Sequence, residues 1–346
     1  MSAKKRRKMP IWAKLLIILA VLFLIIIIAA AVFINAKLNL VEYDRAGTTI
    51  SQTQPATADD EEEGELVDIS GLEQRCPSAL PQGEIIHEKE VMNILLLGTD
   101  ERTYDFSENA RADAILILSL NLKDYTARLV SLERGMGVPI LEGIYEGEYD
   151  WLTHCFRYGG AELMLKEVQT CFNLDVDRYM HVNFTALKKI VDALGGVDLA
   201  ISDAEYAYLT GSITDLGDGM YHLDGEAALS YCRLRAIDSD WTRIKRQRRT
   251  IQACADGVRN ADIATLNELA DAILPMIHTN FTKMELLKLM TCVPNFLGVQ
   301  FEQMTIPQEG TYGGMTGLQG RGLFAVDFET NTRILHEFLY GTDDNT

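Results

Sequence analysis

Asn93-Ile94-Leu95-Leu96-Leu97-Gly98-Thr99-Asp100 is followed by Arg111-Ala112-Asp113 and then by two apolar runs, Ala114–Leu120 and Thr126–Leu132. Asn93–Leu97 is short, apolar and stopped by Gly98-Thr99-Asp100, the pattern of a buried strand. The next two runs read as strands joined by the polar turn Asn121–Tyr125, hence a hairpin. Downstream, Gly159-Gly160 precede a helix at Ala161–Phe172, and Tyr179–Phe184 reads as a strand. A helix at Thr185–Leu194 is stopped by Gly195-Gly196, and a strand at Val197–Ile201 follows. Asp224 can cap a helix reaching Cys232, and another helix spans Trp241–Val258. Beyond 262 come two helices, the second opened by a Thr282/Glu285 capping box, a strand near Val299–Ile306 and a last helix, Glu329–Tyr340. This alternation predicts an α/β (α+β) fold, a mixed central β-sheet sandwiched between helices.

What precedes the fold gives its place. Leu15–Ile34 is an unbroken run of 20 apolar residues, long enough at about 1.5 Å per residue to span a bilayer core. It is longer than a signal-peptide core, and Ala29-Ala30-Ala31 lies inside it, so we read 15–36 as a retained transmembrane anchor. Residues 1–14 hold six basic groups and no acid, which keeps that end cytoplasmic and exports the rest. The expected layout is a basic cytoplasmic tail (1–14), the anchor, an acidic extracytoplasmic stalk (37–88), a folded domain (89–260) and a C-terminal extension on the same domain (261–346). The protein would then be a single-pass protein of the cell membrane, with membrane lipid as a partner.

The chain is 346 residues with a net charge of −18; from Lys37 onward 26 basic residues face 50 acidic ones. A domain this acidic excludes duplex nucleic acid as a partner, because phosphate binding there depends on Lys and Arg. Six cysteines define no disulfide framework and no CxxC occurs. His154 has no second His at metal spacing and reads as structural; Gly313–Gly322 reads as a loop.

Against this background Tyr231–Arg249 is anomalous, with seven basic residues in 19 positions. Such a cluster suits a multivalent anion. On a helical wheel Ile244, Ile251, Ala255 and Val258 form the buried stripe. Gln247 then lies ~60° and Arg243 ~100° from Ile244 on one flank, whereas Arg246 and Arg249 point ~140–160° away, toward water. Arg243 and Gln247 are therefore placed at the edge of a groove. Asp100 and Asp113 flank neighbouring strand ends and, if those strands are antiparallel, meet at one sheet edge. Two hard oxygen donors beside a phosphate suit Mg²⁺.

Together these residues resemble the LytR-CpsA-Psr family of membrane-anchored cell-envelope enzymes. The matching motifs are Asn93–Asp100, Arg111-Ala-Asp113, Leu129–Arg134, Tyr158-Gly-Gly160, Ile190–Val197, Leu223–Tyr231, and Arg233-Leu-Arg235 followed by Asp240, Arg243 and Arg246-Gln247. The resemblance implies a phosphotransferase that moves an anionic glycopolymer, such as teichoic acid or capsule, from an undecaprenyl-pyrophosphate carrier to a peptidoglycan hydroxyl. It implies an apolar tunnel for the polyprenyl chain. It assigns Mg²⁺ or Mn²⁺ to Asp100 and Asp113. The pyrophosphate would be bound by Arg111, Arg134, Arg233, Arg235 and Arg243, which form the catalytic set, together with Gln247. The family usually has Pro-Arg-Asp where this chain has Glu133-Arg134-Gly135, so the acid after the arginine is missing. Two alternatives share the same residues: a polyprenyl-pyrophosphate hydrolase, and a non-catalytic envelope regulator or scaffold. The group that deprotonates the acceptor hydroxyl stays open, with Asp100 and Asp113 as candidates.

Overall fold

The computed structural model describes residues 32–44, 67–99, 111–237 and 239–341. In chain order the elements are β1 (Glu42–Tyr43), β2 (Val91–Thr99), β3 (Ala112–Asn121), β4 (Thr126–Leu132), β5 (Gly137–Pro139), β6 (Tyr149–Trp151), α1 (Leu152–Phe172), β7 (Arg178–Asn183), α2 (Phe184–Ala193) and β8 (Val197–Ala200). There follow α3 (Asp203–Tyr206), β9 (Ile213–Gly217), β10 (Met220–Leu223), α4 (Gly225–Arg233), α5 (Asp240–Asn260), α6 (Ile263–Ile273), β11 (His278–Thr279), α7 (Lys283–Phe296), β12 (Glu302–Ile306), β13 (Tyr312–Thr316), β14 (Gly322–Val326) and α8 (Phe328–Tyr340).

Seven strands form the main sheet in the order β1-β11-β7-β2-β3-β4-β12. It is mixed: β2-β3-β4 is an antiparallel meander, while β2 pairs β7 and β4 pairs β12 in parallel. Period-2 side-chain alternation buries both faces. Leu95, Leu97, Ile115, Ile117, Val130 and Leu132 face the layer that contains α1 and α8. Ile94, Leu120 and Ala127 face the other way, toward Leu38, Val41, Phe281 and Leu286. The expected turn at Asn121–Tyr125 forms because the Asn121 side chain accepts from the Lys123 and Asp124 amides and Tyr125 takes a left-handed φ of 54°.

Three expectations are corrected. The helix after Gly159-Gly160 continues a first run that begins at Leu152, and the two glycines form a kink, with Gly160 at φ 65°. That first run carries His154, structural as expected, fully buried with Nδ1 2.9 Å from Asp150 Oδ2. Second, Gly313–Gly322 is not a plain loop but the β13–β14 hairpin. Its glycines admit a chain crossing: a Cβ at Gly313 would lie 2.5 Å from the Glu73 carbonyl oxygen, and one at Gly322 2.9 Å from that of Val67.

The third correction concerns residues 37–88, expected as a stalk. Leu38 and Val41 are buried, β1 joins the main sheet through β11, and Gln74 bridges to Gly314 while Val67, Leu72 and Leu80 pack on the core. The acidic run 59–63 lies outside the described residues, as does the anchor up to residue 31. Residues 32–38 are helical, with Val32 and Phe33 exposed; among the described residues no helix is long and apolar enough to cross a membrane. All six cysteines are free.

Glu167 on α1 shows what the core does to a carboxyl group. It is fully buried, its Oε1 accepts from the Leu141 amide at 2.8 Å, and burial pushes its pKa up to about 8. Between its ordinary value of 4.5 and about 8 the folded group is neutral while the unfolded one is ionised. The folded state then binds more protons, so stability falls as pH rises through that window. Glu167→Gln is expected to flatten that part of a denaturant-midpoint-against-pH curve by up to ~1.4 kcal/mol per pH unit. A variant curve parallel to wild type from pH 5 to 8 would refute this.

Candidate active site

The site grows from an irregularity at the end of the β2–β3 ladder. Gly98 pairs with Ala114 but Thr99 pairs with Ala112, so Asp113 is the extra residue of a β-bulge. A bulge re-aims a side chain, and Asp113 ends 9% exposed among arginines from three other segments. Arg134, two residues past β4, places Nη1 3.0 Å from Asp113 Oδ1 and Nε 3.5 Å from Asp240 Oδ1. Arg235, just after α4, lies 3.6 Å from Asp113 and 3.8 Å from Asp240. Arg243, on the first turn of α5, lies 4.0 Å from Asp113 and donates to Asp240 Oδ2 at 2.8 Å. Each of these three arginines thus touches both carboxylates.

Burial alone would raise Asp113. The charges of Arg134, Arg243, Arg235 and Arg111 overcome it and hold the carboxyl at about 2. Asp240 behaves alike: burial opposes ionisation, but Arg243, Arg134 and Arg235 and a hydrogen bond with Glu133 lower it. Arg235 drops to about 10, first through burial and then through repulsion by Arg243 and Arg134. The centre is therefore two ionised carboxylates inside a cationic ring, matched to an anion.

The structure brings together Asp113, Arg134, Arg235 and Arg243, and Arg111 adds its field to Asp113. Gln247 sits one turn beyond Arg243, half-buried. Asp100 lies outside the described residues, directly after Thr99. Arg233 stands apart from the cluster: it is exposed, with its guanidinium 5.1 Å from the Phe184 ring centroid. α4 ends at Arg233, Leu234 is extended, and Arg235 lies beyond the helix.

The wheel placed Arg246 toward water, and this is overturned. Arg246 is fully buried; Nε pairs with Glu205 at 2.8 Å and Nη1 donates to the Leu234 carbonyl at 2.6 Å. Arg248 is buried as well, donating to Ser131 and Thr305. A single-stripe wheel fails because α5 is covered on two flanks, by α3 and α4 on one and by β4 and β12 on the other. Arg249 is exposed, as expected.

Sequence reasoning gave no role to Asp240 or Glu133. The i,i+3 spacing of Asp240 to Arg243 was the signal for the first. Glu133 had none, since its place depends on α5 packing over the end of β4. The missing acid at Gly135 has a steric reason: a Cβ there would lie 2.4 Å from Val67 Cγ2.

Ionised Asp113 and Asp240 are hard oxygen donors of the kind a divalent ion takes; among the described residues no three His, Cys, Asp or Glu side chains are grouped to hold a metal, and Asp100 lies outside those residues. At the far end of α5 a cavity of about 300 Å³ is walled by Ile94, Leu118, Leu120, Ala127, Met180 and Val258, and is almost wholly apolar. Arg243 and Val258 are about 22 Å apart along the helix axis.

The centre is a bulge-borne carboxylate in a ring of arginines at the end of a mixed sheet, an arrangement suited to an anionic ligand. Residues 44–334 match the LytR_cpsA_psr family, and the chain belongs to it. The polyisoprenyl-teichoic acid–peptidoglycan teichoic acid transferase TagU of Bacillus mycoides strain KBAB4 is 30% identical over 228 residues, covering 65% of this chain and 71% of that protein. TagU of Enterococcus faecalis strain V583 is 31% identical over 204 residues, 57% of this chain and 64% of that protein. Among solved structures, TagT bound to LIIa-WTA is similar with a TM-score of 0.58 and 27% identity, over 76% of this chain and 97% of that chain.

Proposed function

We propose that the protein transfers an anionic glycopolymer from a polyprenyl-pyrophosphate carrier to a peptidoglycan hydroxyl, held at the membrane by residues 15–36 with its N-terminus in the cytoplasm. The observation that carries this reading is the arginine ring around Asp113 and Asp240, joined along α5 to an apolar cavity. The relatives named as teichoic acid transferases support the same chemistry.

Arg134, Arg235 and Arg243 bind diphosphate oxygens through planar forks, and Asp113 and Asp240 hold those forks in place. The acceptor hydroxyl attacks the phosphorus that bears the glycan; the P–O–P bridge breaks, polyprenyl phosphate leaves, and the hydroxyl proton passes to a base. The arginines neutralise charge that grows on the phosphoryl and leaving oxygens. Asp113 with Asp100 would hold Mg²⁺ or Mn²⁺, which supplies further neutralisation. The isoprenoid tail lies in the apolar cavity.

The test is to incubate the full chain in detergent with polyprenyl-pyrophosphate-linked glycan, peptidoglycan fragments and Mg²⁺. A glycan–peptidoglycan phosphodiester is expected, and its loss on chelation. Polyprenyl phosphate released with no adduct would identify a hydrolase, and binding without turnover a scaffold. Ala127→Phe, which puts a ring into the cavity, should weaken long-chain donors at least tenfold. Binding of a donor with a one-unit tail should be unchanged.

A further inference from the structure

Glu133 is the ionisable group at the centre that the reading above leaves without a task. It follows β4 directly and is 1% exposed. Its backbone is fixed on both sides: the amide donates to Ile306 at 2.8 Å and the carbonyl accepts from Met136. Oε1 takes a long contact of 3.4 Å from the Gly135 amide, and Oε2 is buried without any conventional donor. What the carboxyl faces is another carboxyl, that of Asp240. Two acceptors in contact satisfy each other only when one carries a proton. Asp240 lies against three guanidiniums and is the one that ionises.

We propose that Glu133 is a positioning residue: as a neutral carboxylic acid it donates a hydrogen bond to Asp240, fixing the aspartate that aims Arg134 and Arg243 at the diphosphate. The inference rests on the diphosphate-binding reading and adds a charge count to it. Among the described residues, Arg111, Arg134, Arg235 and Arg243 against Asp113 and Asp240 leave a net charge of +2, the complement of a diphosphate diester. Ionised Glu133 would halve it. The groups that face Glu133 are Asp240 and Arg243 from α5, Arg134 on its own segment and Tyr312 from β13. Burial first, then the Asp240 charge and hydrogen bond, raise its pKa well above the usual carboxylate range against the pull of Arg243 and Arg134. The acid form therefore holds at neutral pH and is lost as the pH rises above it.

The experiment titrates the full chain in detergent with P1,P2-dimethyl diphosphate, whose charge does not change over the range, from pH 6.5 to 9.5. Wild-type affinity should fall about tenfold or more across the ionisation. Glu133→Gln, which keeps a neutral donor, should match wild type at pH 6.5 and stay flat. Glu133→Ala should bind more weakly than wild type at pH 6.5, where wild type still carries the acid proton. Infrared difference spectra at pH 7 should show a protonated-carboxyl band that is absent in Glu133→Gln. A Glu133→Gln profile that falls in parallel with wild type, or an unchanged band, overturns the proposal, and neither reading needs the alanine variant to fold. Flat Glu133→Gln binding without any glycan transfer would sink the transferase instead and leave Glu133 its role.

Discussion

Arg134→Ala is expected to lower glycan transfer by about 10²–10³-fold, the loss seen when one donor to a developing oxyanion is removed from an enzyme site. Arg134 is 5% exposed, and its fork spans Asp113 and Asp240. Removing it would take away a proposed phosphate ligand and lower the positive charge that offsets the two carboxylates against a dianionic substrate. The protein should still fold, because Arg235 and Arg243 continue to neutralise the two acids. Arg134→Lys separates charge from shape: it restores the charge but not the planar fork, so recovery should be partial. The measurement is kcat/KM for transfer beside binding of dimethyl diphosphate. An alanine variant within threefold of wild type in both would remove the arginine ring from the mechanism.

Arg246→Ala is expected to cost about 3–5 kcal/mol of stability, the range for breaking a buried ion pair by removing one partner. The loss has two parts. Glu205 would keep only its capping contacts with Ser202, and the Leu234 carbonyl would lose its donor. Glu205 is itself held below its ordinary pKa: burial opposes ionisation, and the Ser202 and Arg246 hydrogen bonds outweigh it. The substitution should therefore make denaturation in acid less dependent on this carboxylate. Arg246→Met combined with Glu205→Leu should be milder than the sum of its parts, since an apolar pair leaves no orphaned charge. Urea midpoints give the energies. Below the transition, diphosphate binding should be unaffected because Arg246 touches neither Asp113 nor Asp240; a binding loss equal to that of Arg134→Ala would contradict this.

These two arginines show how much of the site could be read from residues alone. Arg134 is in the motif set, and the fold places it between Asp113 and Asp240. Arg246 is in the same set, yet its neighbours give it a structural task. Arg233 and Arg235, two residues apart, have different neighbours: Arg235 faces Asp113 and Asp240, whereas Arg233 lies over the Phe184 ring. Glu133 carried no signal of its role in the sequence. Its meaning came from Asp240, more than a hundred positions away.

Local signals determined much of this protein. Apolar period and turn chemistry specified the β2–β3–β4 meander, α2, α4, α5 and the Thr282 capping box, because these depend on residues close in sequence. The excess of acid outside one basic stretch likewise identified the stretch that contributes Arg235 and Arg243. Only tertiary structure decided which sides of α5 are covered, how residues 67–75 lie across the β13–β14 hairpin, and that Asp113 is a bulge residue. The physical reason is that these are contacts between distant segments: burial of an arginine, room for a Cβ and the protonation of a carboxyl group all depend on what another part of the chain places beside them.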